Sequence, residues 1–268
     1  MYSIRQWCGR FGNNIQQISN AIFYAMENKI SFSMIDNQLI SPINLNFGSN
    51  DIRPGLYFFH VNSEIGEGRI EVEYDLEKLR KYRRVICRDI IYSNLKINFN
   101  NIKDLGNDTV VLQIRSGDIF SRKNYYCPVV SNYIQNPLSY YTNIIKNYKK
   151  IIVITEDYNN PVIGELEKIK NVEIKILTDQ ESIEILLSSR NFVTSGVSSF
   201  GIACALLSKN IKKLYCSNLY LNEILNYNEI VDPDIELIIE NIDQDRYIKW
   251  NEWLNTDEQK KLITEYVL

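Results

Sequence analysis

From residue 106 onward, short apolar runs alternate with stretches in which apolar residues recur every three or four positions. The runs at 110–114, 151–155, 172–177, 191–194 and 212–216 predict strands, and the segments near 137–148, 161–170, 181–189 and 198–208 predict helices. Apolar runs without polar alternation belong to strands covered on both faces. This half therefore predicts a parallel, Rossmann-like sheet between two helical layers. The first half is less regular. Residues 2–7 and 30–35 predict strands, and between them Ile15, Ile18, Ile22 and Ala25 mark one face of a helix that follows a glycine-punctuated turn, CGRFGNN. Residues 37–54, rich in Asn, Ser, Pro and Gly, predict a long loop, 56–60 another strand, and 64–75 a half-exposed strand or rim. Residues 75–91 predict an amphipathic helix, with Leu76, Leu79, Tyr82, Val85 and Ile86 inward and Lys78, Arg80, Lys81, Arg83 and Arg84 on a solvated face. The polar stretch 98–107, with Gly106, separates an N-terminal α/β domain (1–105) from a second domain (106–245). A helical tail (246–268) follows, with Tyr247, Trp250, Trp253 and Leu254 at helical spacing and a capping box from Thr256 to Gln259. Its pattern allows packing on either domain.

Composition narrows the classes of function. The 268 residues carry a formal net charge of -3 and are 45% hydrophobic, which describes a chain with ample core. That balance argues against a nucleic-acid partner, which needs a basic face to release counterions. No run approaches the length of a membrane span and residues 1–12 lack a signal-peptide core, so a soluble, cytoplasmic protein is the expectation. Cys8, Cys87, Cys127, Cys204 and Cys216 are odd in number and form no C-x-x-C pair, so reduced, mostly buried thiols are expected rather than disulfides or a zinc site.

Four turns at predicted strand ends carry the candidate chemistry: GRFGN at 9–13, QIRSGD at 113–118, ITED at 154–157 and TSGVSSFG at 194–201. In an open parallel sheet such turns converge beyond the carboxyl ends of the strands. The planar fork of Arg115 suits a phosphate, and a glycine turn before a helix, as at Gly12, offers backbone N–H groups to an anion, with Arg10 and Asn13 adding side-chain donors. Ser198 and Ser199 supply hydroxyls at a helix N-terminus, where capping is the alternative role, and Asp157 can accept from a ribose or a base. These groups make a nucleotide site without a metal.

At these residues the chain resembles the GDP-fucose-dependent fucosyltransferases. The likeness lies in GRFGN, an H-x-R-x-G-D type motif about a hundred residues later, a T/S-D/E-D turn and a serine-rich S-x-F turn, and NPLSYY at 136–141 is similar to the P-x-x-Y-Y segment of the bacterial α-1,2 group. The resemblance implies a GT-B architecture, two Rossmann-like domains facing across a cleft, and inverting transfer of L-fucose from a GDP-sugar donor to a glycan acceptor without a metal or other cofactor. It implies that Arg115 holds the β-phosphate and favours departure of GDP, that Arg10 and Asn13 frame sugar and diphosphate, and that Gly12, Gln113, Asp157, Ser198, Ser199 and Phe200 bind the donor. Asp118 joins Arg115, Arg10 and Asn13 in the catalytic group.

Gln113 stands where the family has histidine, and Ser116 where the α-1,2 group has a second arginine. Another donor, such as a UDP-pentose, therefore remains an alternative, as does a non-catalytic nucleotide- or sugar-binding relative. For the general base, His60, the sole histidine, competes with Asp36, Glu64, Glu67 and Asp118. A metal-dependent GT-A enzyme would use a D-x-D pair, either Asp232 with Asp234 or Asp243 with Asp245, which as turn and cap residues have an ordinary reading. A serine hydrolase is excluded by the lack of a G-x-S-x-G elbow.

Overall fold

In the computed structural model, residues 2–7, 9–48, 76–121, 133–196, 198–220, 234–247 and 253–268 are described. The expected strand at 56–60 and rim at 64–75 lie outside them. The first described segments are β1 (Tyr2–Ile4), α1 (Phe11–Glu27), β2 (Phe32–Met34), β3 (Asn44–Leu45) and α2 (Leu76–Val85), which runs into a π-helical turn, Ile86–Ile91. The second half follows with β4 (Thr109–Ile114), α3 (Asp118–Ser121), α4 (Leu138–Ile145), β5 (Lys150–Thr155), α5 (Pro161–Glu167) and β6 (Val172–Ile176). It continues through α6 (Asp179–Ser188), β7 (Asn191–Val193), α7 (Ser199–Leu207), β8 (Lys213–Ser217), β9 (Glu236–Glu240), α8 (Gln244–Tyr247) and α9 (Asp257–Glu265).

The apolar runs of the second half assemble into one parallel sheet of order β6-β5-β4-β7-β8-β9. Successive strands step away from β4 in one direction and from β7 in the other. This is the order of doubly wound nucleotide-binding sheets, with the switch point between β4 and β7, and it is compatible with a Rossmann-like fold. Side chains alternate along β4: Val110, Leu112 and Ile114 pack with α4, α5 and α9, while Val111 joins the α6 and α7 side. The edge strand β9 was not among the expected elements. Its short Leu-Ile-Ile core is bracketed by Glu236 and Glu240, a charged edge pattern that a search for long apolar runs passes over.

The first half forms a smaller sheet, β1 parallel to β2 and β2 antiparallel to β3, with α1 as the crossover. Ile15, Ile18, Ile22 and Ala25 are fully buried, as their spacing requires. One apolar core runs from Tyr2, Ile4 and α1 through Leu79, Cys87 and Ile91 to Ile202, Ala205 and Leu206 of α7. The two halves are therefore joined by packing as well as by chain.

Two arginines expected on a solvated face lie inside this joint. Arg83 donates to Asn20 Oδ1 at 2.8 Å, and Arg84 donates to the carbonyls of Ala205 at 2.6 Å, Leu206 at 3.2 Å and Ser208 at 2.9 Å. Arg84 thus satisfies the C-terminal end of α7, where carbonyls lack helical partners and a cation opposes the dipole favourably. The buried stripe is Leu79, Arg83, Ile86 and Cys87, while Tyr82 and Val85 are 42% and 44% exposed. Apolar spacing alone put these two tyrosine and valine side chains on the wrong face. The guanidiniums are buried because they supply the donors that α7's carbonyls and Asn20 accept.

Between the halves, residues 96–107 are strapped to α6. Glu184 accepts from Asn98 N and Asn101 Nδ2, both at 2.8 Å, the Ser188 carbonyl accepts from Leu105 N, and Arg190 clasps Asp104. The tail takes the surface of its own half: Trp253 stacks edge-on to Phe120, its indole donates to the Ile119 carbonyl, and α9 packs on α4 and α5. It is broken rather than continuously helical, with Asn255 in the left-handed region at φ 55° before the observed Thr256–Gln259 capping box. Cys87, Cys204 and Cys216 are free and buried, burial pushing the Cys87 thiol up to about 12; Cys8 and Cys127 lie outside the described residues. Among the described residues no helix is long and apolar enough to cross a membrane.

Candidate functional site

The loops after β4, β5 and β7 meet at the carboxyl edge of the large sheet, and the start of α1 reaches them from the other half. At Gly12 the two helices come into backbone contact. A Cβ there would lie 2.4 Å from the Ser199 carbonyl carbon and 2.6 Å from the Phe200 nitrogen, so only a residue without a side chain lets the first turns of α1 and α7 touch. Around that contact, Ser199 Oγ donates to Asn13 Oδ1 at 2.8 Å and Phe11 meets Phe200 edge-to-face at 5.8 Å. Neither Arg10 nor Ser198, the N-cap residues of the two helices, makes a side-chain capping bond. The capping role open to Ser198 is thus not taken.

Beside the joined helix ends lies a charged quartet. Arg115 donates from one amino group to Glu156 Oε1 at 2.6 Å and from the other to Asp118, and Arg10 reaches the same Glu156 oxygen at 2.9 Å. The Arg115 side chain is 14% exposed, that of Arg10 63%. Glu156 is the residue that reading the sequence missed. Its only signal is its place in ITED, next to Asp157, because its two arginine partners come from distant turns.

Asp157 is spent on holding loops together. Burial would raise its carboxyl, but bonds from Ser116 Oγ, the Asn159 and Gly117 backbone amides and the Asn159 side chain hold it below the usual carboxylate range. Asn160, also unforeseen, supports the same turn: its side chain caps α5, accepting from Val162 N, and donates to the Arg115 carbonyl at 2.9 Å, while its amide donates to Ser116 Oγ at 3.0 Å. Gly117, at φ 62°, permits the left-handed bend from Arg115 to Asp118, and a Cβ on it would strike Glu156 Oε2. Gln113 is 7% exposed beneath α7, its Oε1 within 3.4 Å of Ser195 Oγ and facing Gly201.

The NPLSYY segment backs the β7 turn. Asn136 donates to the Ser195 carbonyl at 3.2 Å and accepts from Ser217 Oγ at 2.7 Å, and the Tyr140 hydroxyl donates to the Thr194 carbonyl. No protein-family model, curated protein or solved structure matches this chain. Of the base candidates, Asp36 pairs with Lys96 two residues beyond the end of β2 and Asp118 sits on Arg115, while His60, Glu64 and Glu67 lie outside the described residues. Asp243 accepts from Arg246 N in the first turn of α8, a capping bond, and Asp232 lies outside the described residues. Among the described residues no group of three acidic, histidine or cysteine side chains is gathered for a metal.

Proposed function

We propose that the chain is an inverting, metal-independent glycosyltransferase of GT-B type that transfers L-fucose from GDP-fucose to a glycan hydroxyl. In this reading residues 1–105 carry the acceptor side and 106–245 the nucleotide, and the protein works in the cytoplasm. The observation that carries it is the meeting of three separate turns, GRFGN, QIRSGD and SSFG, at the switch point of a doubly wound sheet. Two helix N-termini without side-chain caps and two arginines gather there, and each is a group that binds phosphate oxygens.

The chemistry follows from those groups. The acceptor oxygen bonds to the anomeric carbon as the bond to the β-phosphate oxygen breaks, and the electron pair leaves with GDP. The acceptor proton passes to a carboxylate or to solvent. Arg115 meets charge that grows on the leaving phosphate, so its contribution is larger in the transition state than in the ground state. Arg10 and Asn13 approach from the other half, where they can orient the sugar. Gln113 favours a second reading, another donor such as a UDP-pentose, since a buried amide in place of an imidazole changes what the pocket offers and cannot carry a proton at neutral pH.

Thermal shift with GDP, UDP, CDP and ADP, each with magnesium and with EDTA, tests this. A nucleotide at 100 times its dissociation constant adds about 2.7 kcal/mol to the native state. Selective stabilisation by GDP that survives EDTA, followed by turnover of GDP-fucose, is the expected result. Selective response to UDP moves the donor, binding without turnover makes the chain a binding relative, and a magnesium requirement overturns the metal-free mechanism. Arg115→Lys should lose at least about tenfold in turnover while keeping the native circular dichroism, because a point charge replaces a planar fork.

A further inference from the structure

The charged quartet has a feature that transfer chemistry does not call for. Two guanidiniums from different halves of the molecule converge on one oxygen of Glu156, and a second carboxylate, Asp118, takes the other side of Arg115. Two cations and two carboxylates leave the quartet without net charge, so the pull of the two arginines on an incoming diphosphate is largely offset while all four remain in place. The Glu156 carboxylate also lies directly over the α-carbon of Gly117, filling the hollow of the bend between Arg115 and Asp118. We propose that Glu156 is a resident counter-ion: it occupies the place of a ligand oxyanion between Arg10 and Arg115, and a diphosphate binds by displacing it. This inference rests on reading the cluster as a diphosphate site.

Displacement is feasible on this geometry. The Glu156 side chain is 37% exposed and that of Arg10 63%, so their pairing is largely solvent-screened; the bond to the 14% exposed Arg115 is the stronger restraint, and a ligand oxygen taking the same guanidinium replaces it. Its neighbour Asp157, by contrast, is tied by its several hydrogen bonds, so the loop can stay in place while Glu156 swings out. Asp118 has only Arg115 as an ionic partner among the described residues, whereas Glu156 bridges both arginines. Glu156 thus sets the affinity of the site and disfavours weak anions, which cannot outcompete a tethered carboxylate.

Isothermal titration of inorganic pyrophosphate and of GDP into the wild type, Glu156→Gln and Asp108→Asn tests it. Glutamine keeps the shape of the side chain and removes its charge. Asp108 is an exposed carboxylate paired with Lys149 at the amino end of β4, away from the loops, so its variant makes the same change in net charge elsewhere. Glu156→Gln should bind both probes roughly three- to tenfold more tightly while Asp108→Asn matches the wild type. Equal or weaker binding by Glu156→Gln, or equal tightening by Asp108→Asn, overturns the counter-ion role while leaving the diphosphate site standing. No binding by any of the three overturns both. Should Glu156→Gln misfold, Glu156→Ala is read by the same criteria.

Discussion

Asp157 and Glu156 are adjacent carboxylates with opposite assignments, and the difference is in their hydrogen bonds. Asp157 accepts from Ser116, Gly117 and Asn159 and belongs to the scaffold of the site, whereas Glu156 pairs with the side chains of Arg10 and Arg115. Because the folded state holds the Asp157 carboxyl below its ordinary value, the stability it contributes is complete above the unfolded value and is lost as pH falls through the folded one. Asp157→Asn should therefore destabilise by about 1–3 kcal/mol at neutral pH. In denaturant titrations that deficit should shrink as pH drops from about 5 towards 3. A deficit unchanged across that range would show that the charge is immaterial. At this scale the sequence is legible in part: Arg10, Asn13, Arg115 and Asp118 stand out because each lies in a glycine-bearing motif that leads into a helix. Glu156 does not, because its meaning depends on two arginines contributed by other turns.

Single contacts between elements decide how α1 and α7 can pack. Gly12→Ala drives a methyl into the Ser199 and Phe200 backbone, which cannot move as a flexible side chain would, and should cost about 2 kcal/mol or more. Gly164, within α5, has open space around its Cβ position, so Gly164→Ala should be neutral or stabilise by up to about 1 kcal/mol. Chemical denaturation of the pair distinguishes close approach from a general intolerance of helical glycine replacement. At the other end of α7, Arg84→Leu removes the donor for three carbonyls and should lower stability by about 2–4 kcal/mol with unchanged helix content before unfolding. Although the edge strands β6 and β9 keep exposed positions, the inner strands β4, β5, β7 and β8 follow their apolar runs closely, since they are covered on both faces. Helix α2 does not, because a π-helical turn follows it and its most buried polar groups are chosen by partners from α1 and α7.

For the molecule as a whole, the continuous core from β1 through α1 to α7 couples the halves. Calorimetry should give one transition, with van't Hoff and calorimetric enthalpies equal; two resolved transitions would mean that the shared core contributes little. The stretch 98–107 has the composition of a linker, and its glycine and asparagines invite that reading. Its backbone and side-chain groups are nonetheless taken by Glu184, Ser188 and Arg190, so composition and structure part company there. The difference bears on where the chain tolerates being cut. A nick, a permuted terminus or an inserted reporter in this stretch would strip α6 of its strap and open the shared core to water, although every residue of the proposed reaction centre stayed intact. A break made there should loosen the core through which α1 holds Arg10 to the Glu156 that also binds Arg115, far from the break itself.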